Sequence, residues 1–251
     1  MTRIALITGA SRGLGRNTAL AVARGGGDVV LTYRSNAEEA HAVVAEIEAL
    51  GRKAVALQLD TGDVEAFPAF VDQLRAVLRA SWQRNTFDDL VNNAGHGDTA
   101  PIAETTVAQF DRLVDVHFKG VFFLTQALLP LINDGGRIVN ISTGLTRFAY
   151  PGYAAYAATK AAVETLSLYM AKEFGARGIA VNTVAPGAIE TDFGGGAVRD
   201  NAQINAHLAG ITALGRVGVA DDIGPMIAAL LGDANRWVNA QRIEVSGGQA
   251  I

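Results

Sequence analysis

The chain has 251 residues, of which 49% are hydrophobic and 18% are charged, and this composition excludes the disordered, collagen-like and disulfide-rich classes. The formal net charge of −4 and the pI of about 5.6 argue against binding of nucleic acid, which normally requires a basic surface. Cysteine is absent, so neither disulfides nor thiolate zinc sites can form, and a reducing, cytoplasmic location is expected.

Short apolar runs alternate with longer segments of helical periodicity along the whole chain. Seven of the runs have the apolar character of strands buried on both faces: Ile4–Thr8, Val29–Tyr33, Ala54–Leu59, Leu90–Asn92, Ile138–Ile141, Ile179–Val184 and Ile243–Val245. Such alternation predicts an α/β fold, in which a doubly wound parallel sheet carries helices on both faces. Because no linker or repeat interrupts the pattern, a single domain over residues 1–251 is expected.

Three helices are clearest in the sequence. Ala37–Leu50 carries an apolar face, with Asn36 as its N-terminal cap and Gly51 just beyond its end. Val116–Leu131 and Ala154–Phe174 are longer and apolar over more of their circumference, so we expect them deep in the structure. No apolar run is long enough to cross a membrane, and no leader precedes the first strand, so a soluble protein with no membrane partner is expected.

A glycine-rich turn follows the first predicted strand and opens a helix. Glycines bring backbone N–H groups close to a ligand, and a helix N-terminus favours a pyrophosphate. The spacing is G-x-x-x-G-x-G rather than the generic G-x-G-x-x-G, and a plain strand–helix turn is the alternative. The position in the chain favours dinucleotide binding through Gly9, Ser11, Arg12, Gly13, Leu14 and Gly15.

The end of the second predicted strand bears on the choice between NAD and NADP. An acidic side chain there would accept hydrogen bonds from a ribose 2′-hydroxyl, whereas a basic one would suit a 2′-phosphate. The segment here contains no carboxylate, and an arginine can pair with a phosphate through two donors, although Arg34 could also be merely solvated. We therefore expect NADP(H) in preference to NAD(H), with contacts from Arg12, Tyr33, Arg34 and Ser35.

Tyr156 is the only one of five tyrosines with a lysine four residues later, Lys160, and both side chains would project from one helix face. A phenol titrates at about pH 10, and a nearby ammonium together with an oxidised nicotinamide would lower its pKa. The same spacing also arises by chance on ordinary helix surfaces. Together with the glycine turn, it indicates that Tyr156 carries the proton in carbonyl reduction or alcohol oxidation.

The ordered set of motifs resembles that of the short-chain dehydrogenase/reductases, over essentially the full chain. The matching segments are Thr8–Gly15, Asp60, Asn92–Gly95, Ile141–Gly144, Tyr156–Lys160, Pro186-Gly187 and Gly247-Gly248. The resemblance implies a single Rossmann-like domain of seven parallel strands, usually assembled as a homotetramer. It also implies that Lys160 binds the nicotinamide ribose and lowers the Tyr156 pKa. Further cofactor contacts are implied for Asp60, Thr61, Asn92, Ala94, Gly95, Pro186, Gly187, Ile189 and Thr191.

Two positions depart from the family pattern. The hydroxyl that steadies the substrate carbonyl is usually a serine thirteen residues before the tyrosine, and here that position is Thr143, with Ser142 as the reserve candidate. The usual asparagine that holds a water linked to the lysine is replaced by His117. An imidazole could hold that water and would titrate near neutrality, or it could be a packed histidine without a catalytic part.

Two functions stay open at this point. The first is an NADP(H)-dependent oxidoreductase that interconverts a carbonyl and a secondary alcohol, and the second is a non-catalytic NADP(H)-binding sensor. The intact Tyr156–Lys160 pair favours the enzyme. Enoyl reductases of related fold have six residues between tyrosine and lysine, whereas this chain has three.

The substrate would be a small carbonyl or alcohol compound, and a 3-oxoacyl thioester is one of several possibilities. Its pocket would lie between Leu145–Tyr153 and residues 193–210, a segment without clear periodicity whose three glycines suggest a mobile lid. The four histidines lack the regular spacing of metal ligands, so no metal site is expected.

Overall fold

The computed structural model describes residues 2–251, and at its centre lies one sheet of seven parallel strands. The strands are β1 (Ile4–Ile7), β2 (Asp28–Tyr33), β3 (Ala54–Gln58), β4 (Phe87–Asn92), β5 (Ile132–Ile141), β6 (Ala180–Pro186) and β7 (Arg242–Val245). Their order in the sheet is β3-β2-β1-β4-β5-β6-β7. The predicted doubly wound, Rossmann-like α/β fold is confirmed, and each of the seven predicted strands is present.

Two strands begin three or more residues earlier than the hydrophobic pattern predicts, β4 before Leu90 and β5 before Ile138. Each additional stretch begins on a buried apolar residue, Phe87 or Ile132, and continues with polar ones: Asp88 and Asp89 in β4, and Asn133 and Asp134 in β5. Both β4 aspartates are buried, and Arg84 donates to the two oxygens of the Asp88 carboxylate at 2.8 and 2.9 Å. The ion pair makes the burial of this charge tolerable, which an apolar pattern cannot reveal.

Helices cover both faces of the sheet. They are α1 (Gly13–Arg24), α2 (Ala37–Ala49), α3 (Phe67–Trp82), α4 (Val107–Val114), α5 (Gly120–Leu128), α6 (Ala154–Phe174), α7 (Ala197–Asp200), α8 (Ala202–Gly210) and α9 (Gly224–Leu230). Helices α1, α2 and α9 pack on one apolar core, whereas α3, α5 and α6 pack on the other. Alternate residues of β1 point to opposite faces, so Ile4 and Leu6 join one core while Ala5 and Ile7 join the other.

The helix signals read from the sequence are largely confirmed. The Asn36 side chain accepts a hydrogen bond from the Glu39 N–H at the start of α2, and Gly51 follows its end with a φ of +75°. Helix α6 has the predicted bounds. Within residues 2–251, no helix combines the length and the apolar character needed to span a membrane.

The predicted helix Val116–Leu131 is divided and is less buried than expected. It consists of a π-helical turn over Asp115–Lys119, then α5, then a 3₁₀ turn over Leu129–Leu131. Phe122 and Phe123 are about two-fifths exposed, and α6 likewise exposes Leu168 and Tyr169. The expectation of deep burial is therefore wrong for one face of each helix, because an apolar face does not show whether another element of the same chain packs against it.

The segment 193–210 is more regular than its sequence suggests. It forms a 3₁₀ turn over Phe193–Gly196, followed by α7 and α8. Gly194, Gly195 and Gly196 all have positive φ, between +62° and +78°, a conformation that other residues rarely adopt. Helix α8 buries none of its residues fully, and this is why no hydrophobic period announces it.

Candidate active site

One large cleft opens at the carboxyl ends of the strands, where the strand order reverses beside β1. In parallel α/β sheets, ligands bind at this switch point. The cavity has a volume of about 780 Å³, within the usual range for a small-molecule or cofactor site. Every residue predicted from the sequence as a site residue lines this cavity, except Asn92.

Asn92 lies inside the core instead of at the cleft. Its side-chain amide donates to the side-chain oxygen of Asn140 at 2.8 Å and to the Thr125 hydroxyl at 3.1 Å, and all three residues are buried. Asn92 therefore fixes β4 against β5 and α5. The neighbouring Asn93 lines the cavity, whereas the Asn92 side chain does not, and the cofactor contact implied for Asn92 stays a prediction.

The glycine-rich turn is fastened to the end of β4. The Asn93 side chain donates to the carbonyl oxygens of Thr8 and Gly9 at 2.8 and 3.1 Å, and the Thr8 hydroxyl accepts from the Ala94 N–H at 2.9 Å. Gly9 has a φ of +62°, and a Cβ there would lie 2.8 Å from the Cα of Ala94. A larger residue at this position would therefore force the turn and β4 apart.

The turn fits the phosphates of a dinucleotide. Within residues 2–251, no side chain caps the N-terminus of α1, so the first N–H groups of this helix point into the cleft without a protein acceptor from a capping residue. Arg12 and Arg34 also line the cleft, and neither forms an ion pair in the described part of the chain. Two uncommitted guanidinium groups beside an uncapped helix start suit an adenosine 2′-phosphate and a pyrophosphate.

The two candidate catalytic side chains lie at the floor of the cleft, one helical turn apart on α6. Tyr156 and Lys160 are both buried, at 6% and 4% exposure. The Lys160 ammonium nitrogen lies 5.8 Å from the centre of the Tyr156 ring and donates to the Ile141 carbonyl oxygen at 2.8 Å. This contact anchors the lysine to the end of β5, so both side chains are held facing the cavity.

Burial raises the pKa of the Tyr156 phenol well above its ordinary value of 10, although the nearby Thr143 hydroxyl favours the phenolate and opposes the rise. Burial lowers the Lys160 pKa from 10.5 to about 8. The lowered Tyr156 pKa implied by the family resemblance is thus not a property of the protein's own residues. With these residues alone, Tyr156 keeps its proton at neutral pH and is ready to donate it.

Thr143 and Ser142 follow the end of β5 and have different partners. The Ser142 hydroxyl donates to the Glu164 carboxylate at 2.6 Å, and the same carboxylate oxygen accepts from Thr146 and from Arg242. The Thr143 hydroxyl lies next to the phenol of Tyr156 and accepts only from the Leu145 N–H, at 3.3 Å. Thr143 can therefore donate to a substrate oxygen, while Ser142 braces the loop.

We expect Thr143→Ala to lower kcat by roughly 10²-fold, since a donor aimed at a developing oxyanion contributes on this scale. Ser142→Ala should reduce kcat by less than about fivefold and should instead lower the free energy of unfolding by about 1–2 kcal/mol, because it removes a hydrogen bond to a carboxylate. Steady-state kinetics and urea unfolding of both variants separate these effects. The assignment is wrong if Ser142→Ala is the catalytically impaired variant.

His117 lies in the π-helical turn, fully buried, with its ring edge-on to Tyr156 at a centroid distance of 5.2 Å. Its Nε2 is 2.7 Å from the His96 carbonyl oxygen, so Nε2 carries the proton and donates, while Nδ1 has no partner within residues 2–251. Burial, and secondarily the charge of Lys160, holds the His117 pKa well below 6.5. His117 is therefore neutral near pH 7, and the titration expected there from the sequence is displaced to lower pH.

The lowered His117 pKa determines the expected effect of His117→Asn. The variant should retain activity and should reproduce the wild-type pH–rate profile above pH 6.5, because His117 carries no charge in that range. A difference is expected only on the acid side, where protonation of His117 would add a second positive charge beside Lys160. A profile of kcat/KM measured from pH 5 to 9 tests this, and a change confined to the range above pH 7 would contradict it.

The remaining polar groups at the cleft complete its frame. Gln249 is buried, and its side-chain oxygen accepts from the Ala188 N–H at 2.8 Å, which fixes the loop that follows Pro186 at the end of β6 and holds Gly187 and Ile189. The Gly247-Gly248 motif marked this segment in the sequence, but Gln249 itself was missed. In the described part of the chain, no group of three or more histidine or carboxylate side chains is placed to hold a metal ion.

Comparison with known proteins agrees with this geometry. A protein-family model described as enoyl-(acyl carrier protein) reductase matches residues 9–250. The 3-oxoacyl-[acyl-carrier-protein] reductase FabG of Staphylococcus aureus is 36% identical, over 99% of this chain and 98% of that protein.

Two solved structures are similar over nearly their whole length. The promiscuous reductase LugOII, which catalyses keto-reduction at C1 during lugdunomycin biosynthesis, superposes with a TM-score of 0.93 at 39% identity, covering 99% of this chain and 98% of its own. The angucycline C-6 ketoreductase LanV with bound NADP gives a TM-score of 0.94 at 33% identity, covering 99% and 95%. The chain therefore belongs to the short-chain dehydrogenase/reductase family, and it is an NADP(H)-dependent oxidoreductase that interconverts carbonyls and alcohols.

Proposed function

We propose that the protein reduces a ketone with NADPH, and that Tyr156 donates the proton to the carbonyl oxygen. When bound, the cofactor supplies the hydride, which goes to the carbonyl carbon. Thr143 donates a hydrogen bond to the same oxygen, and Lys160 holds the ribose end of the nicotinamide and stabilises the phenolate left after proton transfer. The observation that carries this proposal is the buried Tyr156–Lys160 pair at the floor of the cleft.

Ketone reduction is favoured over reduction of an enoyl double bond, although the matching family model carries an enoyl reductase description. Tyr156 and Thr143 both line the cleft and are neighbours there, so their two hydroxyls can donate to the same carbonyl oxygen. The three-residue spacing between Tyr156 and Lys160 also differs from the six residues of the enoyl reductases.

Oxidation of NADPH against a panel of carbonyl compounds, followed by its absorbance, tests the proposal. Turnover of at least one ketone, and its loss in Tyr156→Phe, is the expected result. Tight binding of NADPH without oxidation on any compound would favour the non-catalytic sensor instead.

We propose that Arg12 and Arg34 select NADPH by pairing with its 2′-phosphate. Arg34→Ala should raise KM for NADPH by about 10- to 100-fold, since a charge-assisted phosphate contact contributes about 1.5–3 kcal/mol, while KM for NADH should change little. Arg16→Ala is the matched control, because Arg16 pairs with Glu46 on the surface and does not line the cleft. Equal losses with the two cofactors would contradict the assignment.

We further propose that residues 1–251 form one domain, that residues 193–210 move as a lid over the substrate, and that the protein assembles as a homotetramer in the cytoplasm. The positive-φ glycines before α7 support a hinge for the lid. The absence of cysteine supports a reducing compartment.

The exposed Phe122, Phe123, Leu168 and Tyr169 on α5 and α6 support the proposed assembly, because contact with other copies of the chain would bury them. Light scattering coupled to gel filtration measures the assembly directly.

A further inference from the structure

Beyond Tyr156, the cleft widens into a region built by three segments, which we call the substrate end. These segments are residues 96–97, residues 144–153 and residues 191–208. Apart from His96, its larger side chains are aromatic or aliphatic, and they are Leu145, Phe148, Tyr150, Tyr153, Phe193, Ile204 and Leu208. The inner surface of the substrate end is therefore predominantly apolar and rich in aromatic rings.

One aromatic ring of the substrate end lies next to the Tyr156 phenol, and two others form a pair. The Phe193 ring lies 5.8 Å from that of Tyr156, centre to centre, and Tyr150 and Tyr153 are neighbours at 6.3 Å. Phe193 also rests on the backbone of Gly97, where a Cβ would come within 3.0 Å of its ring. A substrate whose carbonyl reaches Tyr156 would therefore lie close to the Phe193 ring.

Part of this apolar surface is exposed to solvent. Tyr150, Phe193 and Ile204 expose 43%, 45% and 39% of their surface although they line the cavity. An apolar ligand would remove that surface from water, at about 25 cal/mol per Å². The substrate end thus gains most from a ligand that presents a large apolar area.

Charge at the substrate end is nearly absent. Asp192 is its one charged lining residue in the described chain, and Arg199 donates to its carboxylate at 2.5 Å. Arg147 lies behind Phe148, pairs with Glu244 and does not line the cavity. A carboxylate or phosphate on the substrate would find no cation here and would lose its hydration without compensation.

Resting on the ketone reduction proposed above, we infer that the preferred substrates are uncharged aryl or fused-ring ketones. Aromatic pairs stabilise a complex beyond the area that they bury, and four phenyl or phenol rings besides that of Tyr156 line this end of the cleft. Anionic oxo acids and thioesters of phosphate-bearing carriers are disfavoured by the missing cation. Aliphatic ketones bury area but gain nothing from ring contacts.

Two matched pairs of probes test the inference with the wild-type protein and NADPH. The first pair, 2-acetylnaphthalene and 2-dodecanone, has the same number of carbons but differs in aromaticity. The second pair, methyl 4-acetylbenzoate and 4-acetylbenzoate, differs in charge. We expect kcat/KM to favour the first member of each pair by about tenfold or more, which corresponds to about 1.4 kcal/mol. Equal or reversed preference in either pair would overturn the inference.

Variants at Phe193 show whether the ring itself is responsible. Phe193→Leu keeps an apolar side chain and should lower the ratio of kcat/KM for 2-acetylnaphthalene over 2-dodecanone by about three- to tenfold. Phe193→Tyr keeps the ring and should restore the ratio. Trp237→Leu removes an aromatic ring that is 96% exposed outside the cleft and is the matched control. A ratio that Phe193→Leu leaves unchanged would count against the inference.

Failure of the proposed function is distinguishable from failure of the inference. Oxidation of NADPH by none of the four ketones would argue against ketone reduction. Calorimetric titration of the protein with NADP⁺ and each probe then tests the pocket without requiring turnover. Tighter binding of 2-acetylnaphthalene than of 2-dodecanone would support the aromatic site, and indistinguishable affinities would refute it.

Discussion

Tyr156→Phe should lower kcat for ketone reduction by roughly 10²- to 10⁴-fold, the usual contribution of a positioned general acid. The phenol is buried beside Thr143 and its pKa is raised, so at neutral pH it holds the proton that we propose it donates. The phenylalanine ring would fill the same space, so packing should change little. Affinity for NADPH, measured by fluorescence titration, should stay within about threefold of wild type.

Tyr169→Phe is the matched control for this experiment. Tyr169 lies on the same helix, is 64% exposed and does not line the cleft, so removal of its hydroxyl should leave kcat unchanged. A Tyr156→Phe enzyme that keeps more than about a tenth of the wild-type kcat would show that another group, or water, supplies the proton. Loss of NADPH binding in the variant would indicate a structural effect instead.

The fold could be predicted closely from the sequence because strands buried on both faces leave an unmistakable apolar record. The missed start of β4 contains Asp88 and Asp89. Asp88 is paired with Arg84, four residues earlier, and Asp89 is paired with Arg3, far away in the chain. Which arginine pairs with a buried aspartate depends on the tertiary structure. The same limit explains why α5 and α6 were expected to be buried all round, although sequence shows only that a face is apolar.

The site could be predicted as a set of segments, but the roles of side chains within a segment could not. Asn92 and Asn93 are adjacent and chemically identical, yet one points into the core and the other holds the glycine turn. Ser142 and Thr143 differ in the same way, since Glu164 takes the serine hydroxyl. Alternation along an extended chain decides which neighbour faces the cleft, and a shift of one residue reverses the answer.

Electrostatics was the least predictable part of the site. The sequence predicted a phenol whose pKa is lowered by Lys160 together with an oxidised nicotinamide, and a histidine that titrates near neutrality. Burial raises the Tyr156 pKa and lowers the His117 pKa, because in both cases the charged form is poorly solvated. The desolvation of a group depends on every element packed around it. The spacing of residues along a single helix does not show those elements.

Lys160→Met should abolish most of the activity and yet stabilise the protein in a pH-dependent way. Burial lowers the Lys160 pKa from 10.5 to about 8, so the folded state binds this proton less tightly than the unfolded chain does. Between about pH 8 and 10.5 the unfolded state holds more protons, and the stability of the wild type rises with pH across that window. Below about pH 8 the buried Lys160 ammonium lowers the free energy of unfolding by its full amount, about 3 kcal/mol at 1.36 kcal/mol per pKa unit.

A methionine side chain carries no such cost. The gain in unfolding free energy of Lys160→Met over wild type should therefore be largest at pH 7 and should decrease as the pH rises from 8 to 10.5. Loss of the hydrogen bond to the Ile141 carbonyl oxygen offsets the gain by an amount that is nearly independent of pH, so the slope, rather than the absolute difference, is the diagnostic quantity.

Urea unfolding of both proteins at several pH values from 7 to 10.5 measures that slope. Lys172→Met, at an exposed position on the same helix, is the control and should change the free energy of unfolding by less than about 0.5 kcal/mol. If the difference in unfolding free energy between Lys160→Met and wild type does not change with pH, burial does not destabilise the Lys160 ammonium. A decreasing difference, together with lost turnover, would show that the protein keeps a destabilising charge at the floor of its cleft because catalysis requires it.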